Sequence, residues 1–441
     1  MTEGSLAKNM LLFSLPLMAS NVLQVLFNMS DIAVVGQFAG SHALGSVGST
    51  STLVTLFAGF LIGMGAGVNV AVARALGIGS EEETEKTIHS AFIICTIFGV
   101  VVCLACNLFA RQMLEMLNTK EELMDGAVLY LKIFSLGMPA MAIYNCGNGV
   151  MSAAGDTKRP LLYLTIAGAL NVALNLFFVI GLHMAADGVA LASAIAQCVS
   201  AALIVAHLLR RKDSCRLDLR KIRLYPDRTG QMLRLGFSAG LQGVLFSASN
   251  VMIQSAINSF GSVVMAGSSA ASGIENFIHT ALNTFYQSAI TFTGQSIGAS
   301  DPRRAVRVFR INLALTTGLG IVLCTLAQIF QAPLLGLYVQ STDPAYDAVI
   351  AAGVVRVLAL SRFQWVGGLM ETACGTLRGL GHSMNPTVTT LIGACLLRVV
   401  WRYTVFEAVG TVESMYWSYP VSWLLTFLIH LIYLERDRRR L

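Results

Sequence analysis

Four polar residues, Asn21, Gln24, Asn28 and Asp31, interrupt one long apolar segment in the stretch NVLQVLFNMSD. Steps of three, four and three residues put them within an arc of roughly 80° on a helix. A carboxylate flanked by amides can hold a proton, a sodium ion or an organic cation. An ionisable side chain in a membrane span is costly unless it lines water or meets a partner, so a functional role is the default reading of Asp31. Taking a carboxylate out of water favours its neutral form, which suits it to proton exchange. The competing reading is a hydrogen bond that only packs helices.

Two further sets could do similar work. Asn171 and Asn175 in NVALN lie four residues apart, hence on one helix face. They are either ligands or interhelical hydrogen bonds worth about 0.6 kcal/mol each. In the C-terminal half the acids Glu275 and Glu371 accompany Arg356, Arg362, Arg398 and Arg402, with the amides Gln242, Asn250, Gln254 and Asn258 on an earlier segment. Arginine inside lipid is expensive, so Glu275 is expected to pair with Arg356 or Arg398. Such a pair either fixes helix packing or parts when substrate or a proton arrives.

The elements that must carry these residues are membrane helices. The chain has 441 residues, 55% hydrophobic and only 12% charged, against about a quarter charged in soluble domains. Apolar runs long enough to cross ~30 Å of hydrocarbon fall at 10–37, 46–73, 89–110, 128–152, 160–182, 187–209, 231–258, 264–296, 306–330, 347–376, 386–408 and 415–434. Lys158 and Arg159, the run from Arg210 to Arg234, Arg303 to Arg310, and Arg436, Arg438, Arg439 and Arg440 then all lie on one side. The opposite loops GQFAGSHALG, GLHMAADG and QAPLLGLYVQSTDP hold no Lys or Arg, and Arg111, Lys120 and Lys132 are the main exceptions. The positive-inside rule therefore predicts twelve spans with both termini cytoplasmic in a cell membrane. No cleavable signal peptide is evident.

Two loop motifs repeat. ALGIGSEEETEK is matched by SIGASDPRRAVR, and GDTKRP by GHSMNP; Gly77 to Gly298 is 221 residues and Gly155 to Gly381 is 226. The expected fold is all-α: twelve transmembrane helices in two six-helix bundles related by a pseudo-twofold axis along the membrane normal. The lobes are 1–210 and 231–441. The basic segment 211–230 is the linker, read as a solvated cytoplasmic loop.

Other chemistries find little support. Cys103 and Cys106 form a CxxC with no second pair or nearby His, so no metal site is expected. GMGAG at 63–67 follows no strand and is read as small-residue helix packing rather than a nucleotide loop. The seven His are dispersed and form no HExxH or nucleophile–base set, which argues against an enzyme.

The repeat, FNMSDIAVVGQFAG, the paired GxxxxP loops and NVALN together resemble the multidrug and toxic compound extrusion (MATE) family. That resemblance implies a V-shaped pair of bundles alternating between inward and outward states. It implies export of organic, often cationic, compounds driven by H⁺ or Na⁺. Asp31 matches the family's first-span carboxylate, and Asn171 and Asn175 match positions beside it. Some members carry Asp where this chain has Asn175, and some carry a span-seven carboxylate that is missing here; coupling in the N-lobe would rest on Asp31 alone. The expected partners are a small organic substrate and the bilayer, with no nucleic acid, no cofactor beyond the coupling ion, and a monomeric state. The alternative is a flippase of lipid-linked or anionic substrates, which the C-lobe arginines would suit.

Overall fold

In a computed structural model, residues 5–338 and 344–439 are described, without the side chains of Ser41 and Asn258. Arg440 and positions 339–343 of the loop QAPLLGLYVQSTDP lie outside them. The regular secondary structure among the described residues is all helical, with no strand.

The N-terminal half comprises α1 (Leu6–Val34), α2 (Gly40–Ile78), α3 (Glu81–Met116), α4 (Glu121–Ser135), α5 (Met138–Ala153), α6 (Lys158–Leu176) and α7 (Ala186–Arg210). The C-terminal half comprises α8 (Pro226–Asn258), α9 (Ser262–Gly298), α10 (Pro302–Ile329), α11 (Gln331–Gly336), α12 (Tyr346–Leu360), α13 (Gln364–Gly379), α14 (Met384–Thr390), α15 (Leu397–Trp401), α16 (Glu407–Val409) and α17 (Val412–Arg438). Among the described residues nine helical segments are long and apolar enough to span a membrane, or ten with α4 and α5 as one span bent by 43°. Pro139 stands in the first turn of α5, at that bend. The other two expected spans coincide with α8 and α9, helices of 33 and 37 residues rich in Ser, Gln and Asn.

The repeated loops share their backbone. Gly155 and Gly381 are both left-handed, with φ of 87° and 92°. Each closes its helix in the same way: Asp156 N–H donates to Met151 O, and His382 N–H to Leu377 O. Gly79 and Ser300, at φ of 79° and 55°, end α2 and α9. The next residues, Ser80 and Asp301, cap the following helices by accepting from Glu83 N–H and Arg304 N–H.

By internal packing the chain divides into Leu15–Val244 and Leu245–Leu441, the latter together with the N-terminal stretch to Ser14. The boundary lies inside α8 rather than at the linker, and two observations explain why. First, glycines seat the start of α8 on α2. A Cβ on Gly67 would come within 2.4 Å of Gly236 Cα, and one on Gly63 within 2.5 Å of Gly240 N. The GMGAG run is thus a helix crossing.

Second, the linker is strapped onto α3. Lys221 Nζ lies 2.7 Å from Glu85, and Arg228 pairs with Glu83. Buried His89 accepts from Asp218 N–H at Nε2 (3.0 Å), and its Nδ1 lies 2.7 Å from Glu85 O. Tyr225 N–H donates to Ser90 Oγ, while Cys215 and Leu217 are buried. The solvated loop expected from the charge run is therefore a packed strap. The acids EEETE of α3 supply its counter-charges.

Candidate functional site

Asp31 sits near the end of α1, one residue turn before a π-helical segment, Val35–Ala39. Asn171 and Asn175 lie on α6, which also runs into a π segment, Phe177–Gly181, and the two wide turns pack together. Asn175 Nδ2 donates to Asp31 Oδ1 at 2.5 Å. Ser193 Oγ, from α7, donates to Oδ2 at 3.3 Å. With its amide nitrogen turned toward the carboxylate, Asn171 lies 2.7 Å from Oδ1. Asn171, Asn175 and Ser193 are buried. Among the described residues no Lys, Arg or His forms an ion pair with Asp31. The carboxylate is held by neutral donors.

The rest of the first-helix stripe stays apart. Asn21 is half-buried, Gln24 and Asn28 are exposed, and none of the three joins the hydrogen bonds around Asp31. Ser193 was not singled out from the sequence. It stands in the small-residue run ASAIAQ, where a serine gives no periodic signal.

In the C-terminal half Glu275 meets Arg356, not Arg398. The pair is bidentate, with Nε–Oε1 at 3.0 Å and Nη2–Oε2 at 2.9 Å. Arg356 Nη1 also donates to Ser268 Oγ at 2.6 Å, and Gln364 Nε2 to the Glu275 carbonyl at 2.6 Å. Tyr416 lies under the guanidinium. Glu371 accepts from Asn283 Nδ2 at 3.1 Å, with His279 Nε2 3.7 Å away. Arg398 is fully buried, donating to Ser422 Oγ at 2.9 Å and Asn250 Oδ1 at 3.1 Å. Gln254 is half-buried one turn after Asn250, and Arg362 is exposed. Arg378, which sequence reasoning passed over, is buried against Tyr286 and Thr387.

The family model MatE matches residues 16–177 and 239–404. A Bacillus subtilis (strain 168) protein named "Probable multidrug resistance protein YoeA" is 25% identical over 439 residues, covering 97% of this chain and 94% of its own. "Probable multidrug resistance protein NorM" of Thermotoga maritima is 24% identical, covering 89% and 84%. Among solved structures, "Crystal structure of MATE in complex with MaL6" superposes with a TM-score of 0.92 at 17% identity, covering 99% of this chain and 97% of that one. The matched segments take in Asp31 and both asparagines of α6 in one half and Glu275, Arg356 and Arg398 in the other, and on that match the chain belongs to the MatE family of multi-pass membrane transporters and is not an enzyme.

Proposed function

We propose that this protein exports organic cations in exchange for H⁺ or Na⁺ by alternating access, as a twelve-span cell-membrane protein with cytoplasmic termini. The observation that supports the reading is the environment of Asp31: a carboxylate inside a span, held by Asn175, Asn171 and Ser193, with no fixed cation paired to it among the described residues. A carboxylate so placed binds one positive charge at a time, which is the property an antiport site needs. A proton would neutralise Asp31 and weaken its hold on the asparagines. A sodium ion would be a substrate held by oxygens, for which the buried and otherwise unpartnered Asn175 Oδ1 stands beside the carboxylate. Either ion and an organic cation exclude each other there. The names of the curated relatives agree with drug export.

The test is export of a fluorescent cation from proteoliposomes, wild type against Asp31→Asn, under a pH gradient alone and a Na⁺ gradient alone. Wild type should export under one of them and the folded variant under neither. Equal export by the two proteins would sink the assignment.

A further inference from the structure

Arg398 is a buried charge of the C-terminal half with no ion pair among the described residues. It is fully buried in α15, which is bounded on both sides by π segments, Leu391–Leu396 and Arg402–Phe406. Its hydrogen-bond and ring partners are neutral: Ser422, Asn250, and the rings of Tyr419, Phe246 and Trp423 at 4.2, 5.2 and 5.9 Å from Cζ. Among the described residues no carboxylate pairs with it, and the buried Nη2 donates to nothing. Packing alone does not require this. Arg356 shows how the same fold seats a structural guanidinium, with both oxygens of Glu275. A guanidinium inside a bilayer is costly, and cation–π contacts return only part of that cost.

The repeat gives the residue a counterpart. Arg398 stands one residue beyond the position that the offset between Gly155 and Gly381 assigns to Asn171, and the preceding π segment supplies that extra residue. Asp31, Asn171 and Ser193 come from α1, α6 and α7; Asn250, Arg398 and Ser422 come from the matching helices of the other half. One half therefore presents a carboxylate among amides and a hydroxyl. The other presents a guanidinium among an amide, a hydroxyl and aromatic rings.

We propose that Arg398 is the receptor for the carboxylate of an aromatic organic anion, making the C-terminal site the charge-inverted counterpart of the Asp31 site. The free Nη2 offers N–H donors to a carboxylate oxygen, and Tyr419, Phe246 and Trp423 supply flat apolar walls for a ring. The π segments are the parts of this helix able to shift and open the way, since such turns are frequent at functional sites. The inference rests on the reading of the chain as a transporter of organic ions and adds a second substrate class to it.

The test uses purified full-length protein and two dyes with the same ring system, fluorescein as the anion and rhodamine 6G as the cation, titrated by fluorescence anisotropy. Wild type should bind fluorescein. Asn250→Asp places a carboxylate beside Nη1, which pairs the buried charge and keeps the fold, and it should weaken fluorescein binding by about tenfold or more. Arg398→Gln should do the same, with size-exclusion and thermal unfolding confirming its fold. Rhodamine 6G binding without fluorescein binding by wild type overturns this inference alone. Fluorescein binding undiminished in Asn250→Asp also overturns it. Binding of neither dye overturns it together with the proposed function.

Discussion

Asp31 and Asn175, 144 residues apart in sequence, are joined by a hydrogen bond of 2.5 Å. The bond ties the end of α1 to the last turn of α6, where each helix enters its π segment. Replacing Asn175 with Leu removes the shortest donor to the carboxylate without adding charge. Export of a fluorescent cation should fall about tenfold, the worth of one hydrogen bond to a charged group, in protein that still elutes as a single species. Unchanged export would assign Asn175 to packing.

Glu275 and Arg356 make a different use of charge. Their side chains are 12% and 5% exposed, and removing one partner leaves the other buried and unpaired. Arg356→Gln or Glu275→Gln should each destabilise the protein by about 3 to 5 kcal/mol, read as a fall in the thermal unfolding midpoint. Replacing both by apolar residues of similar size should recover much of that loss. A stable Glu275→Gln protein that fails to transport would instead make the pair part of the coupling machinery.

Glycine contacts give a stability test with an internal control. A Cβ on Gly67 collides with backbone of α8, whereas one on Gly48 meets nothing within 4 Å. Gly67→Val should force α2 and α8 apart and abolish folded protein in membranes. Gly48→Ala should be tolerated and stabilise its helix by about 1 kcal/mol. Comparable folded yields from both would refute the close crossing.

The strap can be followed through Cys215. Burial pushes this thiol up to about 11 and keeps it 1% exposed, so it should react slowly with maleimides. His89→Ala removes the acceptor for Asp218 N–H and should speed labelling severalfold, while Cys95, buried elsewhere in the helices, should not change.

Acid should release the same segment. The hydrogen bond from Arg211 to Asp213 holds this carboxyl below the usual range. A group depressed in the folded state contributes stability above its unfolded value and loses it as pH falls through the folded one. Protection of the strap from hydrogen exchange should therefore be flat above about pH 5 and decline below about pH 4. Decline on the alkaline side of neutrality would contradict the assignment.

Much of this arrangement was legible in the sequence. A lone carboxylate on an apolar helix marked Asp31, four-residue spacing marked Asn171 and Asn175, and the expense of arginine in lipid anticipated a partner for Arg356. What stayed hidden depended on three-dimensional neighbours. The amides of α1 share a helical face with Asp31, but among the four only Asp31 hydrogen-bonds to α6 and α7. Ser193 carries no pattern of its own. Arg398 was one of two expected partners for Glu275, yet it is surrounded by rings, an amide and a hydroxyl contributed from segments as far apart as Phe246 and Trp423. The linker read as solvated because its charges were counted without the acids of α3. EEETEK and RKIR are complementary, and setting them side by side would have suggested docking.

That docking gives one set of charges two roles in time. On the proposed topology, the lysines and arginines from Arg210 to Arg234 hold this stretch on the cytoplasmic side while the chain is being inserted. Once the protein has folded, Glu85 and Glu83 neutralise Lys221 and Arg228, and two of the cations that set orientation during biogenesis are no longer free to attract acidic lipid headgroups. Reversing the α3 acids would thus leave insertion intact while loosening the strap and returning its cations to the finished surface that faces the membrane.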